Sequence, residues 1–307
     1  MENLSLDEVI KAVRGQEMYA DRNAKVKGIS TDSRNIKKGD LFFALKGENF
    51  DGHDFIVQAM NAGAAGAIVS NDIKLGFRHE NFPIIRVQDT ITALGDLAKY
   101  YRQKLDTKIV GITGSNGKTT TKEMTYHLLS HFGPVVKSQK SFNNFIGVPL
   151  TIFEIENRHR YGVLEMGTNA PGEIRRLSEI AVPDIAAIVN VSKTHLEGLG
   201  SIEGVVSAKA EILENLNKHG IFVYNADNPW CVEIAKKFRG HAVGFGFNPN
   251  AQIRCTDVKK KENGYVQRWC SIMIHYFDGR FVKDGTWCFY ALNYLQRHQN
   301  NISGGFF

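Results

Sequence analysis

Gly111-Ile-Thr-Gly-Ser-Asn-Gly-Lys-Thr-Thr120 joins an apolar run, residues 109–113, to a helical pattern that opens at Lys118. A glycine-rich turn between a buried strand and a helix is the setting of a phosphate-binding loop. Glycines let backbone N–H groups converge on phosphate oxygens, and the helix N-terminus adds partial positive charge. Gly114, Ser115, Asn116, Gly117 and Thr120 would form the cradle, with Lys118 neutralising the β- and γ-phosphates of a nucleotide and Thr119 ligating Mg²⁺. The spacing departs from G-x-x-x-x-G-K-[ST], because Ile112 stands where the first glycine belongs. A tight strand-to-helix turn is the bland alternative.

On the C-terminal side the pattern repeats as strand, loop, helix. Strands are expected at 109–113, 135–137, 162–165, 185–191, 221–225 and 242–245, and helices at 118–132, 172–180, 202–218 and 229–238. Continuous apolar runs suit strands buried on both faces, so the alternation predicts a doubly wound, largely parallel α/β sheet of the P-loop ATPase type. It would occupy 108–268. On the N-terminal side, residues 1–107 read as a small mixed domain. Helices are expected at 4–13 with Gly15 as a stop, at 55–63 and at 90–105, and strands at 41–45 and 67–69.

Composition narrows the function classes. The 307 residues, 43% of them apolar and 23% charged, are those of a globular protein rather than a disordered one. No apolar run reaches membrane-spanning length, and Glu2, Asp7 and Glu8 stand where a signal peptide would be basic and then apolar. A cytoplasmic protein is expected. Cys231, Cys255, Cys270 and Cys288 form no C-x-x-C pair, which argues against a zinc knuckle. The net charge of +6 comes mostly from the last 49 residues, with 7 basic against 3 acidic side chains, so it is no nucleic-acid face.

Strand ends on the ligand edge hold the other candidates. Glu165 closes one strand and His195 lies just beyond the next, where a carboxylate and an imidazole can bind a divalent cation. Read singly, each is equally a solvated surface group. Lys209 reads from periodicity as a solvated helix residue. Asn225, in Asn225-Ala-Asp-Asn-Pro229, either meets a nucleoside or forms an Asx turn before the next helix.

Several separate stretches together resemble the Mur ligases of peptidoglycan synthesis. They are Gly-Ser-Asn-Gly-Lys-Thr-Thr-Thr-Lys-Glu-Met (114–124), Ser-Phe-Asn-Asn-Phe-Ile-Gly-Val-Pro-Leu-Thr (141–151), and Glu-Met-Gly-Thr-Asn-Ala-Pro-Gly-Glu-Ile (165–174). Thr194-His-Leu-Glu-Gly-Leu-Gly200 and Ala208-Lys-Ala-Glu211 continue the match, and Ser30-Thr-Asp-Ser-Arg34 and Leu45-Lys-Gly-Glu-Asn-Phe-Asp-Gly-His53 extend it N-terminally. The resemblance covers residues 25–258 and agrees in order and spacing.

The resemblance implies a substrate pair, UDP-N-acetylmuramoyl-tripeptide and D-alanyl-D-alanine, joined at the expense of ATP in cell-wall biogenesis. It implies that residues 1–107 bind the UDP end, through Ser33, Arg34, Asp51, Gly52 and His53. Asn143 and Asn144 would lie near the muramoyl peptide, and Asn225 against adenine. Lys118, Glu165, His195 and Lys209 would be catalytic, with Thr119, Glu165, His195 and a carbamylated Lys209 around Mg²⁺. The implied chemistry is phosphorylation of a carboxylate, then attack of an amine on the acyl phosphate. It requires no enzyme nucleophile, and no G-x-S-x-G stretch is present.

Family members also have a third domain that closes over the nucleotide, whereas the resemblance fades near Val258. From Trp269 neither helical nor strand period persists, and 269–307 is expected to be an atypical tail from a frameshift or premature stop, or else a short genuine extension. Turnover is then expected to be weak, leaving a monomeric fragment that binds ATP or UDP-substrate, since closure completes such sites. Another family member with a different amino substrate is a second alternative, and a GTPase-like switch is a third, which no Asn-Lys-x-Asp guanine-reading tetrapeptide supports.

Overall fold

The computed structural model describes residues 1–19, 25–48, 50–71, 82–139, 142–254, 257–261 and 264–268. The chain divides into two compact units, Met1–Asp106 with Pro149–Asn157, and Thr107–Val148 with the residues from Arg158 onward. The tail read at 269–307 lies outside the described residues.

In the first unit β1 (Leu4–Ser5) leads into α1 (Leu6–Val13). Ser5 and Glu8 form a reciprocal capping box, which is why the helix expected from residue 4 starts at Leu6. The helix stops with Arg14 in the left-handed region (φ 50°); Gly15 instead permits close approach, since a Cβ there would lie 2.3 Å from Ile85 Cγ2. Then follow β2 (Gln16–Tyr19), β3 (Lys25–Val26), β4 (Gly28–Ser30), β5 (Asp40–Phe43), α2 (Ile56–Asn61), β6 (Gly66–Val69), β7 (Ile84–Arg86) and α3 (Thr90–Arg102). Five of these strands form a sheet in the order β2-β7-β6-β5-β4, parallel except at β2. Phe42, Ile56, Val69 and Ile84 centre its core.

The second unit begins with β8 (Lys108–Thr113) and continues through α4 (Lys118–Leu129), β9 (Val135–Lys137), α5 (Gly147–Phe153), β10 (Tyr161–Glu165) and α6 (Glu173–Ala181). Residues of α5 from Pro149 onward group with the first unit, although the sequence reading placed them in the second. Next come β11 (Ile185–Ile188), α7 (Leu196–Leu199), α8 (Ile202–Ala210), β12 (Ile221–Asn225), α9 (Pro229–Lys237), β13 (His241–Gly246) and β14 (Ile253–Arg254). A hairpin of β15 (Asp257–Lys261) and β16 (Gly264–Arg268) follows.

Seven strands make one sheet, parallel throughout, in the order β14-β13-β12-β11-β8-β10-β9. Every residue of β8 after Lys108 is buried, as expected for a central strand. After β8 the chain builds β9 and β10 on one side, then returns to build β11 to β14 on the other. That reversal makes the C-terminal end of β8 a topological switch point, where ligands bind in open α/β sheets.

Two expected elements end early for identifiable reasons. The strand expected to Val191 stops at Ile188, because the following backbone turns to the phosphate loop, with Asn190 O accepting from Ser115 N at 3.0 Å. The helix expected over 202–218 ends at Ala210, followed by a short 3-10 turn. There Glu211 is turned toward α6, where its carboxylate accepts from Gly172 N and Arg175 N.

Candidate functional site

Gly117 takes φ 81° at the start of α4, and among the described residues no side chain caps that helix. Its first-turn N–H groups, at Lys118, Thr119 and Thr120, therefore form an anion-ready end at the switch point. Lys118 Nζ lies folded over the loop, donating to Gly114 O (2.9 Å) and Ser115 O (3.4 Å). Burial pulls its ammonium below the usual lysine range, and the charge of Glu165 opposes that shift.

Glu165, 2% exposed at the end of β10, gathers three groups. Thr119 Oγ1 donates to its Oε2 at 2.9 Å and Asn143 Nδ2 to its Oε1 at 3.0 Å, while Lys122 Nζ stands 3.9 Å from Oε2. Gly167 lets Asn143 approach, since a Cβ there would lie 3.0 Å from Asn143 Cγ. Asn144 serves as a cap, its Oδ1 accepting from Ile146 N and Gly147 N at the start of α5. A cleft of about 180 Å³ is lined by Lys118, Asn143, Asn144, Gly167, Glu173 and His195, among others.

His195 is exposed and left-handed (φ 53°, ψ 36°), a conformation that costs a non-glycine residue about 1–2 kcal/mol. Lys209 is 2% exposed, so the solvated-helix reading fails: α8 turns it inward with Val205 and Ala208. Burial pulls its ammonium down to about 8, with the charge of Lys118 adding to the shift and Cys231 opposing it. Among the described residues no group of three or more His, Cys, Asp or Glu gathers as a metal cluster. The neighbouring oxygens of Thr119 and Glu165 nonetheless fit Mg²⁺, which needs one or two protein oxygens beside phosphates and water.

The remaining expected residues divide. Asn225 is fully buried, its Nδ2 donating to Val189 O (3.1 Å) and its Oδ1 accepting from Asp227 N (2.9 Å), so the Asx turn is present. In the first unit, Asp51 Oδ1 pairs with His53 Nδ1 at 2.5 Å, and His53 Nε2 accepts from Ser70 N at 3.0 Å. Ser33 Oγ donates to Gln58, Arg34 is exposed and held by Asp32, and Gly52 N donates to Leu45 O.

Two family models match this chain: the Mur ligase middle domain over residues 112–280, and the Mur ligase family catalytic domain over 25–102. The chain belongs to the Mur ligase family. A relative from Bacillus subtilis (strain 168), named UDP-N-acetylmuramoyl-tripeptide–D-alanyl-D-alanine ligase, is 39% identical over 85% of this chain and 55% of its own length. A protein of the same name from Rickettsia prowazekii (strain Madrid E) is 40% identical over 90% of this chain and 59% of its own. The crystal structure of MurF from Acinetobacter baumannii superposes with a TM-score of 0.79 at 29% identity, covering 97% of this chain and 66% of that one. MurF ligase from Thermotoga maritima, in complex with ADP, gives 0.72 at 29% identity over 90% and 64%. This Mur ligase chain spans somewhat over half the length of the curated relatives it matches.

In this Mur ligase chain, sequence reasoning missed Lys122, Asn190, Ser192 and Glu211. Asn190 Oδ1 accepts from Asn116 N at 2.9 Å, and Ser192 holds the Ser115 hydroxyl. No periodicity marks such residues, because each acts through a partner distant in the chain.

Proposed function

We propose that this chain forms the nucleotide-binding and acyl-substrate-binding parts of an ATP-dependent amide ligase. The enzyme would act as a cytoplasmic monomer and extend UDP-N-acetylmuramoyl-tripeptide with D-alanyl-D-alanine. Residues 1–107 would hold the UDP end through Ser33, Arg34 and the turn of Asp51, Gly52 and His53; residues 108–268 would hold ATP. The reading rests chiefly on the meeting of Thr119 and Glu165 at 2.9 Å beside an uncapped helix N-terminus and a cleft that Lys118 lines.

The γ-phosphoryl group of ATP passes to the terminal carboxylate of the tripeptide, giving an acyl phosphate and ADP. The amine of D-alanyl-D-alanine then attacks the acyl carbon. A C–N bond forms, the C–O bond to phosphate breaks, the nitrogen gives up a proton, and inorganic phosphate leaves. The first step brings two anions together, and groups already aimed at the developing charge lower that barrier.

Lys118 exchanges its bonds to Gly114 O and Ser115 O for phosphate oxygens, and the N–H groups of Lys118, Thr119 and Thr120 hold the same anion. Thr119, Glu165 and His195 would hold Mg²⁺, which as a Lewis acid neutralises phosphate charge. Asn143 keeps Glu165 oriented, and with Asn144 it borders the space for the peptide carboxylate. Lys209 supports the site as a carbamate: its neutral amine adds CO₂ and releases a proton, turning a cation into an anion. Asn225 would border the adenine through its turn.

Phosphate release from ATP with Mg²⁺, UDP-MurNAc-tripeptide and D-alanyl-D-alanine, omitting each in turn, tests the proposal. Binding of ADP and of UDP-substrate is the expected result, and release that needs every component, with UDP-MurNAc-pentapeptide formed, would show that this chain also completes the ligation. Binding of ADP or UDP-substrate without release would leave a binding role only. Equal competition by GTP would overturn the adenine reading.

A further inference from the structure

Ser115 lies in the phosphate loop, yet the residue is only 6% exposed and its hydroxyl turns to residues 192–194. It donates to Ser192 O (3.1 Å) and accepts from Ser192 N (2.9 Å) and Thr194 Oγ1 (3.1 Å). A hydroxyl has one proton and two lone pairs, so these three bonds use its whole capacity. The neighbouring backbone is held as well, with Ser115 N donating to Asn190 O (3.0 Å) and Asn116 N to Asn190 Oδ1 (2.9 Å). Five hydrogen bonds thus tie two residues of the phosphate loop to residues 190–194.

The tied segment ends immediately before His195, whose backbone is left-handed at φ 53°. A side chain in that region persists only where its surroundings over-determine it. On one side, His195 O accepts from Gly198 N and Leu199 N of the short helix α7. On the other, Ser115 grips Ser192 and Thr194.

We infer that Ser115 is a positioning residue: its hydroxyl latches residues 192–194 so that the strained His195 is held at the cleft that Lys118 lines. Through this latch the phosphate loop and His195 move as one piece. The consequence for metal and nucleotide rests on the function proposed above; the latch itself does not.

The test uses the full chain with Ser115→Ala, with Thr194→Val, which removes one of the three bonds at nearly constant shape, and with Ser115→Thr, which keeps the hydroxyl. His195 imidazole resonances, identified through His195→Gln, and amide hydrogen exchange are followed without nucleotide. Ser115→Ala should displace or broaden the His195 signals and raise exchange over residues 192–199 at least tenfold. Thr194→Val should act in the same direction but less, and Ser115→Thr should restore the native pattern. Unchanged His195 signals and exchange in a folded Ser115→Ala protein would overturn the inference.

ADP affinity with and without Mg²⁺ gives a second reading. The Mg²⁺-dependent gain should fall at least fivefold in Ser115→Ala, and in a His195→Ala background Ser115→Ala should leave that gain unchanged. Equal losses with and without Mg²⁺ would make Ser115 a phosphate ligand instead and overturn the assignment, as would an undiminished loss in the His195→Ala background. Failure of the wild-type chain to bind ADP would count against the proposed function, while the imidazole and exchange measurements would still decide the latch.

Discussion

Thr119 Oγ1 donates a 2.9 Å hydrogen bond to Glu165 Oε2, joining the first turn of α4 to the last residue of β10. Glu165 stands opposite Ile112 of β8, one strand away from the phosphate loop. The bond therefore places two hard oxygens side by side where a helix N-terminus meets the switch point. Its four neighbours, Asn143, Lys118, Lys122 and Ser138, come from three places in the chain, the two lysines both from α4.

Glu165 also neutralises a buried cation. Lys122 is fully buried, with Glu165 Oε2 at 3.9 Å and Glu123 Oε1 at 3.3 Å, and Glu123 is partly exposed. Removing one partner of a buried pair leaves the other charge poorly compensated. Glu165→Leu should therefore lower stability by about 2–3 kcal/mol in urea unfolding, and Glu165→Gln by roughly 1 kcal/mol. Wild-type stability in Glu165→Leu would show that the Lys122 ammonium is compensated without Glu165.

Lys209 makes stability depend on pH in the alkaline range. Its ammonium titrates at about 8 in the folded chain, against 10.5 as the ordinary value. Between those values the unfolded chain binds more protons, so stability should rise with pH there, by up to about 3 kcal/mol. Below the folded value the penalty is constant. Urea unfolding of wild type and Lys209→Met in CO₂-free buffer at pH 7 and pH 10 checks this: the wild type should gain on the variant as pH rises. A constant difference would refute the buried-ammonium account.

The same shift favours carbamylation. With a value of about 8, roughly a tenth of Lys209 is neutral at pH 7, far more than for an ordinary lysine. Protein equilibrated with ¹³C-bicarbonate should show a carbamate carbonyl signal that is absent from Lys209→Ala. The same spectrum for both proteins would remove Lys209 from the ligand set.

Gly117 carries the loop into α4 at φ 81°. Alanine in the left-handed region costs about 1–2 kcal/mol, and relaxing it would turn the Lys118 and Thr119 N–H groups. Gly117→Ala should thus weaken ADP binding at least tenfold, measured by calorimetric titration, with stability falling by no more than about 2 kcal/mol. Native ADP affinity in that variant would mean the positive φ is not needed for phosphate binding.

Much of the fold was legible because it rests on local pattern. The runs that became β8, β9, β10 and β12 are apolar and end at loop signals, and α9 begins at a proline after a capping Asn228. Missed boundaries have tertiary causes: β11 stops where Asn190 turns to Ser115, and α8 stops where Glu211 caps α6. Of the candidate site, Lys118, Thr119 and Glu165 were visible as strand-end and loop chemistry. Lys209 was misread from periodicity as solvated, because helix period alone does not say which face of α8 is covered.

The sequence by itself determined the strand–loop–helix alternation, the glycine-bearing phosphate loop and the family motifs, all properties of residues close together in the chain. Only the tertiary structure decided that the Ser115 hydroxyl turns to Ser192, that Asn143 and Thr119 share Glu165, and that Lys209 is buried. The Ser115–Ser192 bond spans 77 positions and Thr119–Glu165 spans 46. A hydroxyl or an ammonium has no preferred partner until folding removes water around it, and which groups then lie within 3 Å is a property of the packed sheet.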